Sequence, residues 1–140
     1  MKEKELKHIE IRMVGIIDTE IEAAAKGKLF TIPIKLNLSA PSKWSDIFFK
    51  NWKNDSHKNA TQNYIIPSVR HNKIFLFETT VEEIAKKYRL ALMSTVKKTN
   101  IEYNSYVDNE LAKAERIKLE LEKQKKIIFK QRKAAKDVKF

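Results

Sequence analysis

The chain has 140 residues, of which 42% are hydrophobic and 34% charged, and its formal net charge is +11. This length and apolar content fit one folded domain and exclude a wholly disordered chain. The sequence has no cysteine, which excludes disulfides, thiolate metal sites and cysteine nucleophiles and agrees with a reducing compartment. No apolar run approaches the roughly 18 residues of a membrane span, so we expect a cytoplasmic protein.

Two segments in the first third of the chain alternate apolar and polar residues. The segments are 9–17 and 32–38, and a period of two predicts a strand with one buried face for each. Proline cannot donate to a strand ladder, so Pro33 predicts a sheet edge or a bulge for the second strand. Residues 18–28 between them fit either a short helical turn ending at Gly27 or a loop.

Aromatic residues recur at helical spacing soon after the second strand. Trp44, Phe48 and Trp52 follow a turn at 39–42 and predict a short aromatic helix. Core packing is favoured for these rings over a base-stacking surface, with Trp52 the most exposed of the three. Next come a polar loop at 54–63 and a predicted hairpin, formed by 64–70 and 73–77 around a tight turn at His71-Asn72.

A long helix is predicted for the C-terminal half. Thr79 or Thr80 with Glu82 or Glu83 forms a capping box, and neither proline nor glycine occurs from Ser68 onward. The polar stretch 99–109 is where a kink or break is predicted. The fold class is therefore α+β, with a four-stranded, mostly antiparallel sheet in the order β-β-α-β-β-α. We expect a globular domain at 1–107 and a helical extension at 108–140.

The positive charge is concentrated at the C-terminal end. Residues 1–80 carry 13 bases and 9 acids, 81–122 carry 8 of each, and 123–140 carry 8 bases and 1 acid. On a helical wheel the apolar and amide side chains of this tail share one arc and most bases the other. The tail has four alternative roles: phosphate-backbone binding, membrane-surface docking, insertion into an acidic partner groove, or a solvated helix end. The thin apolar arc disfavours the membrane.

These patterns favour a non-enzymatic protein that binds the phosphate backbone of nucleic acid, with little sequence preference. The hairpin tip adds two candidate cations to those of the tail. The candidate nucleic-acid-binding residues are Lys123, Lys125, Lys126, Lys130, Arg132, Lys133, Lys136, Lys139, Arg70 and Lys73.

An alternative is a scaffold protein that forms a homodimer through the long helix. The candidate oligomerisation residues are Val107, Leu111, Ala114 and Leu121, which recur at helical spacing.

An enzyme is the least favoured class. A metal-independent nuclease could combine His57, His71 and Glu78 with the hairpin cations Arg70 and Lys73, yet nothing in the sequence brings these groups together. Asp18, Glu20 and Glu22 could collect a divalent ion, although solvated acids are favoured. We expect no metal site, no cofactor and no small-molecule substrate.

Overall fold

The computed structural model describes residues 6–24, 29–55 and 65–140 and confirms the predicted α+β class. All strand pairs are antiparallel, in the order β1-β3-β5-β4, with β2 beside β3. The two-residue β2 is a strand that the sequence did not predict. The elements are β1 Met13–Ile16, a 3₁₀ turn Asp18–Glu20, β2 Glu22–Ala23, β3 Phe30–Leu36, helix α1 Ser42–Asp55, β4 Ser68–Arg70, β5 Lys73–Thr79 and a long C-terminal helix.

The long helix consists of three consecutive stretches. An α-helical turn Val81–Glu83 leads into a π-helical stretch Ile84–Tyr88, which continues as the α-helix Arg89–Ala135. The chain divides into two compact units, one formed by 8–104 and the other containing 105–140. No helix within the described ranges is long and apolar enough to cross a membrane.

The core of the first unit lies between the sheet, α1 and the long helix. One face of β3 and β5 is fully buried, and so are the three α1 aromatics. Trp44 and Phe48 stack with ring centroids 5.3 Å apart, and the Trp52 Nε1–H donates to the Ile65 carbonyl at 2.8 Å. The predicted core role of these rings is confirmed, but the expectation that Trp52 is exposed is wrong, because it has no solvent-accessible surface.

The first predicted strand pairs in the sheet only over β1, and its earlier half is bound by asparagine side chains. Asn104 accepts from the Ile9 N–H at 2.9 Å and donates to the Ile9 carbonyl at 3.0 Å. Asn100 does the same at Ile11, at 3.0 and 2.9 Å. A primary amide carries one acceptor and two donors, so each asparagine replaces one residue of a neighbouring strand. We call this pair the asparagine clamp.

The opposite edge of the same segment is held by Asn37. Its Oδ1 accepts from the Arg12 N–H at 2.7 Å, and its Nδ2 donates to the Glu10 carbonyl at 3.0 Å. Extended chain directs the polar groups of alternate residues to opposite sides, which is why the even residues meet Asn37 and the odd ones meet the long helix. The segment 9–12 thus behaves as a strand bound mainly by side chains, with one backbone bond from the Asn37 N–H to the Arg12 carbonyl at 3.1 Å.

The edge position predicted from Pro33 is wrong, because β3 lies inside the sheet between β1 and β5. The Pro33 carbonyl accepts from the Ile17 N–H at 3.0 Å, so the missing donor points to the side of β1 and β2. On that side β1 ends opposite Ile34 and β2 begins opposite Thr31. The proline therefore lies opposite the connection between two strands, where its missing N–H removes no ladder bond.

The predicted hairpin and helix start are both confirmed. β4 and β5 pair around His71-Asn72, and the positive φ that such a turn needs falls on His71, at 55°. Thr80 caps the long helix by accepting from the Glu83 N–H at 3.1 Å. The break that the sequence allowed at 99–109 is absent, because the α-helix continues to Ala135. Its polar residues there do not disrupt it, since Asn100 and Asn104 bind segment 9–11 instead.

Candidate nucleic-acid interface

The basic tail, 123–140, comprises the last turns of the long helix and the five residues after it. The α-helix ends at Ala135, and every side chain from 111 to 140 is exposed. Bases in the last helical turn are favoured there because they face the negative end of the helix dipole. The ion pairs Lys73–Glu20 and Lys113–Glu110 involve no tail base. None of the eight tail bases forms an ion pair with a described residue.

This arrangement leaves a concentrated positive potential on one helix. Exposed charges interact over roughly 10 Å at about 0.1 M salt, so neighbouring ammonium groups act on the same ligand phosphates. Seven of the eight bases are lysine and one is Arg132. Lysine presents a mobile point charge instead of a planar fork, which suits phosphate attraction better than recognition of particular bases.

The hairpin places three cations side by side across the sheet. Lys73 lies directly opposite Lys35 of β3 on one side and Arg70 of β4 on the other. The sequence predicted Arg70 and Lys73 as candidate residues but missed Lys35. Its place in this row depends on strand register, which no local sequence signal reports.

One acid partly offsets this cationic row. The Lys73 Nζ lies 2.7 Å from Glu20 Oε1, in the 3₁₀ turn after β1, and both side chains are partly exposed. Like charges directly opposite one another on neighbouring strands are destabilising. The sheet therefore carries an unfavourable row of three cations, and among the described residues its central member, Lys73, has an acidic partner.

The candidate oligomerisation residues differ in accessibility. Val107 is fully buried, whereas Leu111 and Leu121 are 49% and 53% exposed, and Ala114 is exposed as well. The part of this set that a second chain could reach is thus the segment beyond Val107.

The candidate catalytic groups are not gathered at one place. His57 lies outside the described residues, and Lys73 and Glu78 lie at opposite ends of β5. Of the three acids considered for a divalent ion, Glu20 is bound by Lys73. In the described ranges, no group of three or more His, Asp or Glu side chains could hold a metal ion.

Burial raises the pKa of Tyr88, and the neighbouring Glu83 carboxylate raises it further.

A feature that the sequence did not indicate is an open groove of about 780 Å³ between β1 and the long helix. Its lining joins apolar side chains of both elements with three cations, Arg12, Arg89 and Lys97. The groove is open at Gly15, since nothing lies within 4 Å of the position that a Cβ would occupy there. The lining residues come from 10–16, Ile34 and 84–100, so only the fold brings them together.

Comparisons with protein-family models, with curated proteins and with solved structures gave no match for this chain. Function must therefore be argued from the chemistry of the surfaces described above.

Proposed function

We propose that the protein is a non-enzymatic, cytoplasmic nucleic-acid-binding protein that contacts phosphate backbones through its basic tail with little sequence preference. The observation that carries this proposal is the set of eight exposed tail bases without an ion-pair partner among the described residues. Neutralising phosphates with such bases releases condensed counterions, which supplies most of the free energy of non-specific binding.

The smaller net charge of the rest of the chain, +4 over residues 1–122 (21 bases and 17 acids), makes this proposal local. Residues 81–122, which precede the tail, carry equal numbers of bases and acids. Attraction to phosphates should therefore depend on 123–140 and much less on the net charge of the whole protein.

Deleting the tail should abolish most of the binding. We expect the full chain to bind a labelled mixed-sequence oligonucleotide at about 50 mM salt, and a chain ending at Glu122 to bind at least about 100-fold more weakly. Fluorescence anisotropy measures both affinities. Circular dichroism controls for folding, which the deletion should preserve because every removed side chain is exposed. No detectable binding by the full chain, or equal binding by both chains, would refute the proposal.

A second candidate function is self-association through the long helix. The observation that favours it is a row of apolar residues spaced seven apart on the exposed helix, Ala114, Leu121, Ile128 and Ala135. A coiled coil pairs helices through apolar residues at two positions of each heptad, and this row supplies one of the two. Such a seam would bury Leu121 and the neighbouring Leu111, which are half-exposed in the single chain.

Self-association predicts a dimer that depends on these residues. Light scattering of the full chain should give twice the mass of the monomer, and Leu111→Gln with Leu121→Gln should return it to the monomer. Both substitutions replace exposed side chains, so the fold of 8–104 should remain intact. A monomer at high protein concentration would exclude this second function without affecting the first.

A further inference from the structure

Two phenylalanines of β5 form a stacked pair on the sheet face opposite the core. Phe75 and Phe77 are two residues apart, so they project to the same side, and their ring centroids lie 6.4 Å apart with an interplanar angle of 15°. Phe77 is 39% exposed and Phe75 is partly exposed. A ring that stays partly exposed to water does not gain the full free energy of burial. An accessible stacked pair is therefore a candidate surface for another ring.

Helix α1 extends this surface with a third ring. Phe49, 41% exposed, and Phe77 both line an open groove of about 340 Å³ beside β4. Ile66 and Pro67 supply apolar wall, while Ser45, Asp46 and Ser68 supply polar groups. Phe75, Phe77 and Phe49 together define what we call the aromatic track. All of it lies within the unit formed by 8–104.

A cation lies over the ring at each end of the aromatic track. The Arg70 guanidinium carbon is 5.9 Å from the centroid of Phe75, and the Lys53 Nζ is 5.2 Å from the centroid of Phe49. Arg70 also belongs to the row of three cations that crosses the sheet next to Phe75. Rings with flanking cations, repeated along a surface, match a strand of nucleic acid, in which base faces alternate with phosphates.

We infer that the aromatic track binds single-stranded nucleic acid, with bases stacking on Phe77 and Phe49 and phosphates meeting Arg70, Lys35 and Lys53. The inference rests on the proposed function but assigns it a second surface and a substrate class. A duplex keeps its base faces stacked on one another, so it cannot use the rings. The polar groups of the groove would face base edges, where the Asp46 carboxylate can accept from an exocyclic amine.

The unfavourable cationic row supports this assignment. Lys35 and Arg70 flank Lys73 at directly opposite positions, an arrangement that costs stability in the free protein. A ligand phosphate removes that repulsion, so the row contributes more to the complex than to the fold. Glu20 offsets the central charge alone.

The test compares single and double strands of the same sequence, about 12 nucleotides long, as RNA and as DNA. In the full chain, Phe77→Leu should weaken single-strand binding about tenfold and leave duplex binding unchanged, since stacking on one aromatic ring commonly contributes that much. Phe49→Leu should act in the same direction. Leucine keeps the site apolar, and equal urea midpoints will confirm that the fold is retained.

Phe30→Leu is the matched control, because Phe30 is 36% exposed, lies opposite the buried Thr79, and belongs neither to the stacked pair nor to the groove lining. Phe30→Leu should change neither the affinity for the single strand nor the affinity for the duplex. The inference is overturned if Phe77→Leu and Phe49→Leu bind the single strand as the unaltered chain does, or if they weaken single and double strands equally. Failure of the unaltered chain to bind either form would instead refute the proposed function itself.

Discussion

Replacing Asn100 with alanine should destabilise the protein by about 3 kcal/mol or more. Its side chain makes three hydrogen bonds, with the N–H and the carbonyl of Ile11 and with the Trp44 Nε1–H, all at 2.9–3.0 Å. Ile11 and Trp44 are fully buried, so the substitution leaves three of their polar groups without a partner in the protein. Each buried polar group left unpaired costs about 1–3 kcal/mol.

Two other asparagines of the long helix serve as controls for this prediction. Asn104→Ala removes the equivalent pair at Ile9, which is less buried and lacks the tryptophan bond, so we expect a loss of about 1 kcal/mol. Asn109→Ala changes an exposed residue and should alter stability by less than about 0.5 kcal/mol. Urea unfolding measures all three. If Asn100→Ala were no more harmful than Asn109→Ala, the asparagine clamp would not hold the N-terminal segment.

Elements with a strong local signal were predictable from the sequence. The helical spacing of Trp44, Phe48 and Trp52, the turn at His71 and the cap at Thr80 each depend on residues within one or two turns of chain. Such signals need no knowledge of the tertiary fold. For that reason α1, the hairpin and the start of the long helix were predicted correctly.

Features that depend on distant partners were not predictable. The polar residues Asn100 and Asn104 suggested a weak point in the helix, whereas their partners lie 89 and 95 positions away. Pro33 suggested an edge strand or a bulge, whereas the gap between β1 and β2 accommodates it inside the sheet. In both cases the local chemistry was identified correctly: the asparagines do seek backbone partners, and the proline does lack a donor. The tertiary structure supplied the partner in the first case and the space in the second.

The candidate surfaces follow the same division. The basic tail was predictable from composition alone. Arg70 and Lys73 were predictable because they flank the turn at His71-Asn72. Strand register was needed to add Lys35, and packing of α1 beside β5 was needed to bring Phe49 and Phe77 to one groove, 28 positions apart. A surface assembled from separate elements leaves no local pattern in the sequence.

Neutralising four tail lysines should reduce both the affinity for nucleic acid and its dependence on salt. The logarithm of the binding constant falls with the logarithm of salt concentration by about 0.9 for each phosphate neutralised on duplex DNA. If Lys125, Lys126, Lys130 and Lys133 each contact a phosphate, their replacement by glutamine lowers this slope by about 3 to 4. These lysines are exposed, so the fold is not expected to change.

A matched variant separates local contacts from overall charge. Lys86, Lys87, Lys97 and Lys118 are also exposed and lie on the long helix before the tail. Their replacement by glutamine changes the net charge by the same amount. It should leave the slope nearly unchanged, because the phosphate contacts that release counterions remain in place.

The most direct measurement is therefore the salt dependence of duplex binding, from about 50 to 200 mM, for the full chain and these two variants. Nucleic-acid binding through the basic tail predicts a steep slope for the full chain and the control, and a slope about 3 to 4 smaller for the tail variant. Equal slopes for the two variants, or a full chain that does not bind at the lowest salt, would contradict nucleic-acid binding through the basic tail.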